Sequence, residues 1–169
     1  MNHLMAVKAL STNATTFRAL LSGVHEEIHL WRPAPDKWCL LEIVCHLYDE
    51  EREDFRSRVK STLLSPEQVW PSINPVGWVE ERQYVKQNYE NKLADFLRER
   101  AGSIHWLESL SKPEWKNVYH HPKVGPVSAE FLLANWLAHD YLHFRQITRT
   151  KYLYLKETSG MSLDYAGEW

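Results

Sequence analysis

The chain has 169 residues, with 20 Lys and Arg against 22 Asp and Glu and a formal net charge of −2. This is enough sequence for one domain with a sizeable core and too little for two ordinary ones, so a single domain over residues 1–169 is expected. The balanced charge lacks the basic surplus of nucleic-acid-binding proteins, and no apolar run approaches the roughly 18 residues of a membrane span, which argues against both partners.

The stretch from Met1 to Lys8 lacks the apolar core and small-residue cleavage pattern of a signal peptide, and the cytoplasm is the expected location. From about Met5 to Leu30, Leu10, Phe17, Leu21, Val24 and Ile28 recur at steps dominated by three and four, which predicts a first amphipathic helix. Pro33 and Pro35 interrupt the pattern, so Trp31 to Trp38 reads as a loop. A second helix is predicted from about Cys39 to Leu63, its inner stripe traced by Leu40, Val44, Leu47, Glu51, Phe55 and Val59. Cys39 and Cys45 fall about 9 Å apart along that axis and point in different directions, so they are expected to be free thiols.

Ser65-Pro66 and the run from Pro71 to Gly77 mark a long crossover carrying Trp70 and Trp78, two aromatics available for a dimer contact or for capping a pocket. A third helix is predicted from Trp78 to about Leu110, with Tyr84, Tyr89, Leu93, Phe96, Leu97, Ile104 and Leu107 facing inward and Pro113 as its stop. His120 to Val127 reads as a Pro and Gly loop, Ser128 as an N-cap, and the fourth helix runs to about Tyr154. No segment alternates with period two for long, so the economical architecture is an all-α four-helix bundle with one extended crossover. The tail from Lys156 to Trp169 is irregular, with aromatics that are expected to dock.

Nine histidines are a prompt to look for metal or proton chemistry. His139 and His143 are four residues apart on the fourth helix, a spacing that lets two imidazoles share one ion. On a helical wheel Leu132, Trp136, His143 and Ile147 cluster within about 60°, His139 lies about 20° aside, and Ala134, Arg145 and Arg149 face away. A buried pair hydrogen-bonded to tyrosine or backbone fits that spacing equally well. His25 and His29 share the spacing but sit beside Glu26 and Glu27 at the end of the first helix, where the helix dipole alone favours histidine. His120 and His121 read as exposed loop residues, and His3 and His105 have no evident partner. His46 lies on the wheel with Glu42, Asp49, Glu50 and Glu53, either a solvated acidic face or the lining of a cleft.

The stretch from Trp38 to Glu51 resembles the second-helix signature of the DinB-like (damage-inducible) superfamily of metal-dependent four-helix proteins. His121-Pro122-Lys123-Val124-Gly125-Pro126-Val127-Ser128, Leu132-Leu133 and His139 through Ile147 are similar to that family's approach loop and fourth-helix motif, and Tyr165-Ala166-Gly167 is similar to its tails. The matches keep their order over most of the chain. The resemblance implies a DinB-like bundle in which His46, His139 and His143 hold one divalent metal, with zinc or nickel favoured. Cys39 departs from the Ser or Thr expected at the start of the second helix, and Asp36 is a substitute cap.

Three neutral imidazoles leave an ion its full charge and an open position, the arrangement of catalytic rather than structural zinc. Such an ion can generate hydroxide for hydrolysis or hold a thiol as thiolate. Asp49, Glu50 and Asp140 are candidates to orient imidazoles or to act as acid or base, each with surface charge as the plain alternative, while Cys45 reads as a small core residue. The activity implied by the resemblance is metal-dependent transfer of a low-molecular-weight thiol to a small electrophile, with hydrolysis of a small substrate close behind. The opposing reading is a non-catalytic, metal-stabilised module that dimerises or regulates.

Overall fold

Asn2 accepts a hydrogen bond from the Met5 backbone N–H and so caps α1 (His3–Leu21) in the computed structural model, which describes residues 2–167. The expected continuation to Leu30 fails at Ser22, which is extended at φ −78° and ψ 146°, and Gly23 follows with a left-handed φ of 66°. The chain restarts as a separate turn, α2 (Glu26–His29), capped by His25 Nδ1 accepting from the Glu27 N–H.

The second long helix comprises α3 (Leu40–Asp49), a π-helical segment (Glu50–Phe55) and α4 (Arg56–Leu64). Its start is fixed by Glu42, which accepts from the Cys39 N–H at 2.9 Å and is itself held by Arg32 at 2.6 Å. Asp36 instead pairs with Lys37 on the surface, so it does not cap this helix. The stripe Leu47, Glu51, Phe55 and Val59 advances in steps of four, which overshoot a 3.6-residue turn. The wider π turn absorbs that drift and brings both Glu50 and Glu51 inside, at 5% and 1% exposure.

The predicted third helix is broken at its start. α5 (Trp78–Glu81) and a 3₁₀ turn (Tyr84–Lys86) flank Gln83, which adopts a left-handed φ of 49°, and the long helix α6 (Tyr89–Ser109) begins only where Asn88 accepts from the Asn91 N–H. The expected loop at 120–127 is a hairpin. β1 (Val118–His121) pairs antiparallel with β2 (Gly125–Ser128), with Tyr119 opposite Val127 and both side chains buried. His121 is thus a strand residue, and its Nδ1 accepts from the Lys123 and Val124 N–H groups to fold the turn. Ser128 closes the strand and caps α7 (Ala129–Ser159) by accepting from the Phe131 N–H. That helix passes the predicted end at Tyr154 and stops at Gly160, φ 62°.

α1 packs on α6 and α7, while the second helix packs on α6 through α3 and on α7 through α4, giving a four-helix bundle. The hairpin packs Tyr119 and Val127 into the core. Trp70 stacks on Tyr119 at 4.0 Å and Trp78 lies under the Arg82 guanidinium at 4.1 Å. Both indoles are buried and neither is free for a dimer contact or a lid. Tyr165 is fully exposed, so the tail does not dock there, and Trp169 lies outside the described residues. Among the described residues no helix is long and apolar enough to cross a membrane.

The core falls into two apolar halves, one around Phe17, Leu47, Phe96 and Ile147, the other around Leu10, Val59, Leu107 and Trp136. At the level between them each long helix presents a polar group: Asn13, Glu51, Arg100 and Asp140. Arg100 donates from Nε to Glu51 at 2.9 Å and through both terminal nitrogens to Asp140 at 2.8 Å. Asn13 Nδ2 donates to Asp140 at 3.0 Å and Trp136 Nε1 to Glu51 at 3.0 Å. A buried guanidinium is tolerated only because its donors meet acceptors in this way.

Gly23 has open space where a side chain would sit, so its left-handed backbone alone sets the cost of change. Gly23→Ala should lower unfolding free energy by about 1 kcal/mol in urea titration with an unchanged slope. A neutral or stabilising effect would contradict the left-handed conformation assigned to this residue.

Candidate metal centre

His46 leaves α3 toward α7, where His139 and His143 project from successive turns. His139 Nε2 lies 3.3 Å from His46 Nε2 and 3.0 Å from His143 Nε2, and the three nitrogens all fall within 4.8 Å of one another. His46 and His143 are each 7% exposed and His139 is half-buried. Trp38 packs on the His46 ring at 4.8 Å and Phe55 on the His139 ring at 4.9 Å, so aromatic walls flank the group.

Two nitrogens bound to one tetrahedral zinc at about 2.0–2.1 Å lie about 3.3 Å apart, close to the separations seen. Hydrogen bonding among the rings accounts for the cluster less well. A neutral His139 Nε2 carries one proton or one lone pair, so it cannot satisfy both neighbours in full. The donor set therefore fits a shared divalent cation.

Burial holds all three rings neutral. His46 is pushed down to about 3 by burial and by the neighbouring His143, and His139 to about 2 by burial, the two other imidazoles and Arg100. His143 is pushed to about 4 by burial, partly offset by Gln146 and Asp140. Metal binding needs the unprotonated ring, the form that burial favours in all three.

The carboxylates named from the sequence stand outside this group. Asp49 accepts from the Tyr84 hydroxyl at 2.6 Å and pairs with Arg82 at 2.8 Å. Asp140, beside His139 in sequence, is committed to Arg100 and Asn13. Glu50 is different: burial and the charge and hydrogen bond of the nearby Asp54 push its carboxyl up to about 8, and among the described residues its Oε1 is buried without a hydrogen-bond partner. The thiols of Cys39 and Cys45 are buried and free, raised to about 11 and about 12 chiefly by desolvation, which disfavours the thiolate.

The remaining histidines are accounted for elsewhere. His25 caps α2, His29 stacks on Tyr89 at 3.8 Å, and His3 stacks on Trp115 at 4.7 Å. His105 and His120 are exposed. Residues that the sequence reading passed over are Arg100, Asn13 and Arg82. Arg100 carried the one available signal, an Arg three residues after Leu97 and seven before Leu107, at helical spacing for the inner face of α6.

Four helices in this topology, with three imidazoles converging between two of them, define the class: a helical bundle carrying a candidate metal centre. The model of the DinB superfamily matches residues 9–147, and the chain belongs to that superfamily. Among solved structures, YfiT from Bacillus subtilis, described as a probable metal-dependent hydrolase with an unusual four-helix bundle topology, is similar in fold. The TM-score is 0.78 at 16% sequence identity, covering 95% of this chain and 89% of that one. No curated protein sequence matches.

Because the three rings are neutral in the fold and protonate near 6.5 when unfolded, the unfolded chain binds more protons below that pH. Metal-free protein should be most stable above about pH 6.5 and lose stability progressively as the pH falls toward the folded values of about 4 to 2. Thermal melts between pH 7 and pH 4 check this against His46→Gln/His143→Gln, whose slope should be shallower. Equal slopes would show that the imidazoles do not carry the effect.

Proposed function

We propose that this DinB-superfamily protein is a metal-dependent enzyme in which His46, His139 and His143 hold one divalent ion, zinc or nickel. We propose further that it activates a small nucleophile, water or a low-molecular-weight thiol, for attack on a small electrophilic substrate. One observation carries the reading: three neutral Nε2 atoms converge at the spacing of ligands on a shared ion. A dication held by three uncharged donors, with a position left open, lowers the pKa of water or a thiol bound there toward neutrality. Structural zinc sites are closed by four protein ligands, and the three donors found among the described residues favour a catalytic over a merely stabilising role. The description of YfiT as a probable metal-dependent hydrolase supports water as the nucleophile.

The chain's own residues then divide the work. His46 and His143 supply ligands from within the bundle, and half-buried His139 stands nearer the solvent side. Trp38, resting on His46, also lines a neighbouring cavity of about 640 Å³ with Arg32, Asp36, Val79, Gln83 and Lys86, whose walls do not include the three imidazoles. Glu50 lies four residues beyond His46 and keeps its proton up to about pH 8, so it can deliver that proton to a leaving group and recover it afterwards. Asp49 and Asp140 act through position, Asp49 by tying α3 to Tyr84 and Arg82.

Elemental analysis of purified protein should find about one divalent metal per chain, lost in His46→Ala and His139→Ala and kept in His25→Ala. Retention in the first two variants would end the metal assignment. Holo protein should also accelerate reaction of water or a cellular thiol with small electrophiles and lose this on chelation. Glu50→Gln should keep its metal, reduce kcat by about 10²- to 10⁴-fold and remove the alkaline fall in the pH–rate profile. A wild-type profile in that variant would exclude Glu50 as the proton donor.

A further inference from the structure

We infer that Arg100 is a positioning residue for the metal centre, setting the separation of the two ligand-bearing helices. The inference rests on the reading of the three imidazoles as metal ligands. Those ligands come from two helices, His46 from the second and His139 with His143 from α7, and α3 packs chiefly on α6 rather than on α7. Arg100 reaches across from α6 and grips both. Its Nε holds Glu51, five residues beyond His46, and its two terminal nitrogens hold Asp140, the residue after His139.

A guanidinium is a planar fork whose donors keep fixed relative directions, so two carboxylates bound to it are held at one separation and one tilt. On each side one carboxylate oxygen that accepts from Arg100 also accepts from a second donor near the ligands. Trp136, three residues before His139, donates to Glu51, which ties α7 directly to the second helix, and Asn13 from α1 donates to Asp140. The layer is 0 to 5% exposed throughout. Stability gives little reason to keep it, because buried ionic triads can often be replaced by apolar residues at no loss and the core on either side is apolar. What an apolar replacement cannot reproduce is a fixed separation between two helices at one height, and three converging imidazoles need that separation to within a fraction of an ångström.

Cobalt(II) binding tests the inference without an activity assay. The wild-type protein, stripped and titrated with cobalt, should show the visible absorption of a low-coordinate nitrogen site. Arg100→Lys, which keeps the charge and removes the fork, should remain helical by circular dichroism yet bind cobalt about 10- to 100-fold more weakly, with bands altered in position and intensity. Arg98→Lys, at an exposed pair with Asp95, should match the wild type. If Arg100→Lys does not fold, Glu51→Gln serves instead, since it leaves the Arg100 grip on Asp140 in place; its cobalt bands should shift. A folded variant with wild-type affinity and spectrum overturns the positioning role while leaving the metal assignment standing. A wild-type protein that takes up no cobalt overturns both.

Discussion

The bundle is organised around one buried cation. Arg100 enters the middle of the core at 1% exposure, and its desolvation is offset only if Glu51 and Asp140 arrive from two other helices. Asn13 from α1 and Trp136 from α7 complete the set, so all four long helices must stand at one relative height for the layer to form. Apolar contacts tolerate sliding and repacking, whereas a guanidinium between two carboxylates does not. The apolar halves above and below supply most of the burial; the polar layer chooses one arrangement among those that burial would allow.

The imidazole group lies beside that layer and obeys the opposite electrostatic rule. Here burial suppresses charge on the protein, holding three rings neutral, and thereby favours charge brought in from outside. The carboxylates that could have neutralised a cation directly are engaged elsewhere, Asp140 with Arg100 and Asp49 with Arg82 and Tyr84. An ion bound by His46, His139 and His143 would therefore keep its full charge available to a ligand, which suits a Lewis acid better than a structural staple.

Helix number, the crossover and the facing of α7 were legible because long amphipathic patterns report burial directly: Leu132, Trp136, His143 and Ile147 are all buried as their wheel positions imply, and Arg145 and Arg149 are exposed. His46 was ambiguous for a physical reason. A wheel reports direction around one axis and not what faces it, and the polar side of α3 holds a buried imidazole, a capping Glu42 and an Arg82-bound Asp49 together. Breaks were read poorly where they depend on backbone angles, as at Gln83 with its left-handed φ, which is not a residue type that announces a turn. The hairpin was hidden because each strand is four residues long and β2 contains Gly125 and Pro126. Arg100 was passed over because an arginine on an inner face looks like a flaw in the stripe until its partners on other helices are known.

The π-helical segment between His46 and Val59 carries one more implication, for how this sequence can change over time. Each residue of a regular helix turns the chain by about 100° and each residue of the wider π turn by less, so losing a single codon within Glu50–Phe55 would rewind the helix to ordinary pitch with its two flanks facing nearly as before. His46 and Val59 would keep their present facing, while the turn that brings both Glu50 and Glu51 inside would be gone. The number of residues in this stretch, and not only their identity, thus sets whether the carboxylate of Glu51 meets Arg100.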